Sequence, residues 1–493
     1  MKTVQFKLIK KILLGLLALI ISLFIIGYLA FYFFVQTNLD YYKNELVNEI
    51  SKATNKKVTI ETFDANWNIT NPRFIIKDFS IYANSSDKAF TFEKFEVDVS
   101  WMSLLKFELV LDQVTLYNLV VEIQKNSETD YLIGGWKVSY DPNSNDEFDG
   151  KLINWLLNQD EVQMINAKII WIDKTRANSP PLVLNDINLS YSTSDILSYL
   201  DRHLFYLDFF SSAGTKEKIS LSGHFDADSI NELLEADGAL SFKFDALNLY
   251  AFSPWIDYPL TIKDGTGSLS INIEFENGKL KEGGSSFSVQ NLNANTIDNA
   301  KQGLVFKDIS GEFEYKLVND DINIILDNLF LTTNSKLQFE DSAASIKYNF
   351  ETNQINKATL VVDRFDLGSV KEISNQFLPE EHKTNVIINE LSAKGEIDDL
   401  KLKWDRTRDE EEPNLKLKAK FLELEINEFE SFPGLKNITG EVNIENEKGI
   451  IRSVSRDVKI TKEDVFRAPL QLNQFSGSVN WDNRKYSFNE LTI

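Results

Sequence analysis

Four segments of the chain share one spacing: apolar residues seven and five positions before a glycine, then two and four positions after it. LTIKDGTGSLSI carries it around Gly267, LVFKDISGEFEY around Gly311 and LQLNQFSGSVNW around Gly477. PGLKNITGEVNI carries it around Gly440 without the first apolar residue. Weaker copies surround Gly223 and Gly395, so successive glycines stand 44, 44, 84, 45 and 37 residues apart, with one copy unreadable near position 353. A period of about 40 residues means stacked supersecondary units, none of which buries its apolar face alone. The glycines themselves read as bends or bulges in successive strands.

At 493 residues the chain is long enough for three ordinary domains, yet few turn-rich stretches divide it. Thirty-five phenylalanines make the apolar positions unusually aromatic, and the absence of cysteine excludes disulfides and thiolate metal sites. Residues Ile12 to Val35 form 24 consecutive positions without a charge. At about 1.5 Å per residue this run crosses a hydrocarbon core of about 30 Å. Lys2, Lys7, Lys10 and Lys11 precede it with no acid among them, which leaves the N-terminus cytoplasmic and everything after Gln36 across the membrane. A cleaved signal peptide fits less well, because the run is long and Phe33-Phe34-Val35 offers no small-residue cleavage site. The translocated part holds 48 basic against 74 acidic residues, a net charge of −26. Such a balance argues against nucleic acid and against broad binding to anionic membrane surfaces. A lipid would have to meet an interior surface.

Beyond the anchor, Tyr42, Leu46, Val47 and Ile50 form a helical stripe over Leu39–Ala53 that ends near Asn55. Strands follow. In FTFEKFEVDVSW, Phe90, Phe92, Phe95, Val97 and Val99 hold one apolar face while polar residues fill the intervening positions, the pattern of a half-buried antiparallel strand. The polar stretch Asp141 to Gly150 reads as a boundary, and short helices are expected at Leu152–Leu157, Ser194–Phe205, Ser229–Glu235 and Leu367–Phe377.

Motifs for chemistry are lacking. His203, His224 and His382 have no paired spacing, and no nucleophile elbow, phosphate loop or zinc-protease helix occurs. Asp141-x-Asn143-x-Asn145 begins like a calcium loop, but Asp146 replaces the turn glycine and Leu152 the bidentate glutamate. The aromatic residues Phe63, Trp67, Trp101, Trp171, Trp404 and Trp481 fall mainly on apolar strand faces. Such faces either close against a second sheet or line a groove that accepts acyl chains, and sequence period alone leaves both open.

Several segments carry a family resemblance. After the single charge-free run come ATNKKVTI (Ala53–Ile60), NPRFIIKDFSIY (Asn71–Tyr82) and VSWMSLLKFELVLDQVTLYNL (Val99–Leu119). The second half holds VDRFDLGSVKEISNQFLPEE (Val362–Glu381), KGEIDDLKLKW (Lys394–Trp404), FPGLKNITGEVNIENEKG (Phe432–Gly449) and FRAPLQLNQFSGSVNW (Phe466–Trp481). In order and spacing these resemble the AsmA-like proteins of diderm bacteria, most closely the YhdP-type members. The resemblance implies a periplasmic bridge, anchored in the inner membrane, whose groove-like β-sheet lets phospholipids travel toward the outer membrane. It also implies a chain more than twice as long, so this one is expected to be an N-terminal portion truncated at its C-terminus. Some thirty strands at about 4.8 Å spacing would span roughly 140 Å.

The expected fold is mainly β: a transmembrane helix followed by a long, curved, repeat-built antiparallel sheet with a few short helices. Its expected parts are a cytoplasmic tail (1–11), the anchor (12–35), an AsmA-like β region (36–140) and the repeated sheet (151–493). The candidate groove lining is Leu269, Ile271, Ile273, Phe275, Phe313, Tyr315, Val442, Ile444, Val479 and Trp481. No catalytic residue, cofactor or metal is expected. The expected partners are phospholipid acyl chains, the inner membrane and a protein at the distal end. The competing expectation is an envelope assembly factor whose sheet edges pair with a partner's strand.

Overall fold

The computed structural model describes residues 14–15, 18–19, 21–22, 25–54, 56–68, 71–82, 88–100, 103, 110–134, 136–139, 157, 159–177, 179–194, 202–227, 232, 235–258, 260–296, 299–333, 338–377, 382–406, 413–429, 433–483 and 485–492. The fold is mainly β, with twenty-five strands and few short helices among these residues. Among them no helix is long and apolar enough to cross a membrane. The charge-free run falls partly outside them, and its described residues up to Ala30 are helical, leading into a π-helical turn at Phe31–Gln36. Leu14, Leu19, Ile21, Ile25, Ile26, Phe33 and Phe34 along this run are all exposed.

By contacts the chain forms two compact units, one of Met1–Ser212 with Lys218–Asp237, the other of Ala213–Glu217 with Gly238–Ile493. The first begins with helix α1 (Leu39–Thr54), as the apolar stripe predicts. Its strands are β1 (Val58–Thr59), β2 (Thr62–Asn68), β3 (Asn71–Tyr82), β4 (Lys88–Val99), β5 (Leu111–Tyr117), β6 (Val120–Lys125), β7 (Asp130–Ile133), β8 (Trp136–Ser139), β9 (Glu161–Asp173), β10 (Leu182–Ser194), β11 (Arg202–Ser211) and β12 (Ile219–Asp226). Most pairs are antiparallel, but β9 runs parallel to both β5 and β6. Leu46, Val47 and Ile50 of α1 pack on a core of Val58, Ile60, Phe79, Ile81, Phe92, Leu119, Ala167 and Ile187. The helix thus covers apolar sheet surface that would otherwise meet water. Tyr42, placed on the same stripe by its spacing, is exposed instead.

The second unit holds β13 (Asp237–Asn248), β14 (Leu260–Glu276), β15 (Lys279–Thr296), β16 (Asn299–Val318), β17 (Asp321–Thr333), β18 (Gln338–Asn349) and β19 (Gln354–Asp366). The helices α2 (Leu367–Phe377) and α3 (Lys383–Leu391) follow, then β20 (Lys394–Asp405), β21 (Asn414–Ile426), β22 (Gly434–Glu445), β23 (Lys448–Thr461), β24 (Leu470–Asp482) and β25 (Lys485–Thr492). Each strand from β13 to β25 pairs antiparallel with the next, α2 and α3 being an insertion between the paired strands β19 and β20. His382 caps α3 through a ring nitrogen that accepts from the Thr384 N–H at 3.3 Å.

Among the expected helices, α2 matches. Residues 202–205 of the expected Ser194–Phe205 helix are strand β11, and Ser194 ends β10. The β-rich alternation of RHLFYLDFF prevails there, with His203 and Phe205 inward in register with Phe225 and Gly223. The helices expected at 152–157 and 229–235 lie mostly outside the described residues, as does the boundary at 141–150.

The glycines stand beside bulges rather than in them: register shifts bracket Gly311 and Gly477, and the left-handed residue lies on the neighbouring strand, at Asn328 or Glu490. None of Gly267, Gly311, Gly440 and Gly477 has a left-handed backbone. The left-handed positions are mostly Asn and Asp, including Asp78, Asn291, Asn328, Asn437 and Asp457, residue types that tolerate that region. What Gly440 permits is close approach: a Cβ there would collide with the Arg452 carbonyl and meet the Phe421 ring at 2.9 Å. The bulges have a different role. Ile76 and Phe79 flank Asp78, Val289 and Leu292 flank Asn291, and Phe421 and Leu424 flank Glu423. Residues three apart in a regular strand face opposite ways, yet each of these pairs enters one apolar cluster. One extra left-handed residue restores the phase. The same shift is written in the repeat, whose apolar positions are odd before the glycine and even after it.

Candidate functional site

Directly opposed residues of antiparallel strands put their side chains on the same face. In the second unit the register therefore draws one row across twelve strands: Phe242, Ile271, Ser285, Phe313, Leu326, Ala344, Leu360, Leu402, Leu417, Ile444, Gly449 and Trp481. A second row beside it runs Leu240, Ile273, Gly283, Tyr315, Ile324, Ile346, Ala358, Trp404 and Leu415. All ten residues singled out from the sequence lie on this face. Ile271, Phe313, Ile444 and Trp481 are in the first row, and Ile273 and Tyr315 in the second. Leu269 and Phe275 flank these rows on β14, while Val442 and Val479 both oppose Ile451 of β23.

All ten are half-buried. This intermediate state decides how the face is built, because a sheet packed on a second sheet buries such positions almost completely. The substantial contacts of β21 to β25 run only to the strands beside them. Burial does occur at the other tier of the repeat. Phe306, Leu292 and Ala294 form a buried cluster with Leu260 and Ile262, and Leu472 and Ile438 another with Leu435. These contain the position five before each glycine and Leu260 seven before Gly267, whereas Leu470, seven before Gly477, is exposed. Leu249, next to the 3-10 turn Tyr250–Phe252, packs into the first cluster, and α2 touches β15, β16 and β20. The repeat thus writes two tiers: one supplies core, the other an apolar surface left open.

The opposite face is polar. Its row runs Thr359, Lys403, Lys416, Glu445, Lys448, Asp482 and Lys485 across β19 to β25. Lys416 and Glu445 stand 2.6 Å apart, Lys448 and Asp482 3.0 Å, and Arg452 and Glu441 2.8 Å. Hydrogen bonding by Lys420 holds the Asp399 carboxyl below its ordinary range, and Lys316 and Lys448 do the same for Glu282 and Asp482. On the apolar face burial alone pushes the Tyr315 phenol up. Its ring covers Gly283, whose absent side chain makes room for it. A Cβ on Gly449 would likewise fall inside the Trp481 ring.

The register also finds the copy that sequence spacing missed. Gly267, Gly311, Gly440 and Gly477 lie on β14, β16, β22 and β24, so one repeat is a pair of strands. On β18 the equivalent position is Ser342, with Ala344 and Ile346 at the pattern's offsets. Ser342 is 1% exposed, a small residue in the glycine's place and eleven residues before the expected 353. The copy around Gly395 is out of phase: Leu402 and Trp404 carry the two rows on β20, which puts Leu400 at the equivalent position. The inserted α2 and α3 account for the long interval there.

The first unit has matching rows. Ala65, Phe74, Val97, Val114, Val162, Tyr191, Phe205 and Gly223 form one, and Phe63, Ile76, Phe95, Leu116, Met164, Leu189, Leu207 and Leu221 the other. His203, 1% exposed, is bonded to the Tyr191 hydroxyl at 2.7 Å and the Ala227 carbonyl at 2.6 Å, which accounts for both ring nitrogens structurally. Among the described residues no group of three or more acidic or histidine side chains is placed to hold a metal ion.

A mainly antiparallel β protein with apolar rows in each unit, backed in the second by an ion-paired face, is the class these rows define. The sequence model of the YhdP protein family matches residues 1–492, and the chain belongs to that family. The match bears out the AsmA-like, YhdP-type resemblance of its motifs. No curated protein matches the chain.

Proposed function

We propose that this protein is anchored in the bacterial inner membrane by residues 12–35 and offers a periplasmic apolar β-groove along which phospholipids move between inner and outer membranes. The observation that carries this reading is the half-buried row from Phe242 to Trp481, apolar at all but a few small positions over twelve strands. Acyl chains laid on it replace water at about 25 cal/mol per Å² of apolar surface covered. The reading is non-catalytic: transport along a surface needs no reacting group, and the ion-paired face keeps the outside of the sheet in water. The exposed apolar residues along the charge-free run support the anchor, since such a surface is stable only in lipid or protein. Membership of the YhdP family supports the envelope setting.

The test is transfer of a fluorescent phospholipid from donor to acceptor vesicles by the reconstituted chain. Transfer that depends on the chain and is abolished by charges on the apolar rows supports the reading. A chain that neither takes up nor passes phospholipid contradicts it.

A further inference from the structure

The first hairpin of the sheet turns back toward the charge-free run and touches it. The Trp67 ring lies edge-on against Tyr28 at 5.4 Å and against Phe31 at 5.5 Å, and Phe74 lies edge-on against Phe31 at 6.0 Å. Phe31 is buried by these contacts, whereas Phe33 and Phe34 beside it are among the most exposed large apolar residues described. Chain lengths agree. The sixteen residues of α1 carry the chain about 24 Å away from the anchor. The extended return from Val58 to Trp67 covers about 30 Å, so the hairpin end passes the start of α1 and comes level with the anchor.

We infer that the end of the β2–β3 hairpin is seated in the periplasmic leaflet, with Trp67 at the boundary between headgroups and acyl chains. The depth follows from the anchor. Its 24 residues measure about 36 Å against a core of about 30 Å, a surplus of about 3 Å at each end. Phe31 and Tyr28 then lie roughly 3 and 8 Å below the acyl boundary, and Trp67 between them, the depth of interfacial aromatic side chains. Trp67 gives that zone an apolar ring, while exposed Asn66 beside it faces the other way with an amide. The partner is thus the ester and headgroup layer of a phospholipid leaflet.

The inference takes its geometry from the anchor and adds an entry point to the lipid-conduit reading on which it rests. Phe74, in contact with Phe31, belongs to the row Ala65, Phe74, Val97, Val114 and Val162. That row therefore begins inside the leaflet, and an acyl chain can slide sideways onto it without crossing water.

The chain has no cysteine, so single cysteines introduced for spin labels are unique. The full chain carrying Phe33→Cys, Asn66→Cys or Glu61→Cys is labelled and reconstituted in phosphatidylethanolamine–phosphatidylglycerol vesicles. Collision with oxygen is then compared with collision with a water-soluble nickel chelate. Labels at 33 and 66 are expected to be shielded from the chelate severalfold relative to 61, which lies on the same return segment but farther from the anchor. A label at 66 as accessible as one at 61, with 33 shielded, overturns the inference and leaves the anchor and the conduit standing. Labels at 33 and 66 both in water remove the anchor and the inference together.

Discussion

Replacing Phe313 by aspartate separates an open apolar face from a closed core. Phe313 stands in the first row between Ser285 and Leu326 and is half-buried, with Glu312 and Glu314 exposed on either side of it. Complete burial of a phenylalanine is worth about 1.5–3 kcal/mol, so at half-burial the ring contributes about 1–1.5 kcal/mol. An aspartate on an open face keeps its water, and the substitution is expected to cost about 1–2 kcal/mol in all. In a closed core, loss of the ring would cost about 3–5 kcal/mol and the unpaired carboxylate several more. Transport is expected to suffer far more than folding. A carboxylate among acyl chains costs about 2.5–3.5 kcal/mol, which as a barrier slows passage roughly 100-fold. Circular dichroism through a urea titration reads the first quantity and vesicle-to-vesicle transfer the second. A variant that fails to fold refutes the open face, and one that folds and transfers lipid at the normal rate refutes the role of the row.

Other outcomes follow from the same geometry. Gly449→Ala forces the Trp481 indole off its strand and is expected to cost about 1–3 kcal/mol, with a changed near-ultraviolet tryptophan signal. Leu46→Ala loosens α1 from the core beneath it, costs about 2 kcal/mol and exposes residues 39–54 to limited proteolysis. The Asp399, Glu282 and Asp482 carboxyls titrate below their ordinary values because of Lys420, Lys316 and Lys448. Their contribution is present above the unfolded pKa near 4 and lost as pH falls through the lower folded value. The urea midpoint should therefore fall between pH 5 and pH 3, and neutralising all three, as Asp399→Asn, Glu282→Gln and Asp482→Asn, should flatten that fall.

Much of the open face was legible because its period is simple. Alternation such as Leu269, Ile271, Ile273 and Phe275 assigns a face to each residue, and the repeat brings successive strands into register. The buried tier was less legible. Bulges at residues such as Asn291 and Glu423 shift the phase, so the positions before the glycine look unrelated to those after it until register joins them. The copy at Ser342 escaped notice because serine fills the glycine's place and Ala344 one of its apolar sites. Gly395 misled for the opposite reason, a glycine whose φ of 116° serves a local backbone need rather than the repeat. The strand at 202–205 was hidden by apolar residues that also fit a helical stripe. The docking of Trp67 on Tyr28 and Phe31 had no local signature, since it joins residues about forty positions apart.

The central claim is that phospholipid travels on one face of this sheet. A photo-crosslinking amino acid at Phe313 or Ile444 samples the apolar face, and one at Glu314 or Glu445 samples the ion-paired face of the same strands. The residues within each pair are neighbours in sequence, so only the side of the sheet differs. Irradiation of living cells, followed by mass spectrometry of the chain, is expected to show phospholipid adducts at 313 and 444 and none at 314 and 445. Adducts to protein at 313 and 444, or lipid captured equally on both faces, would contradict the account.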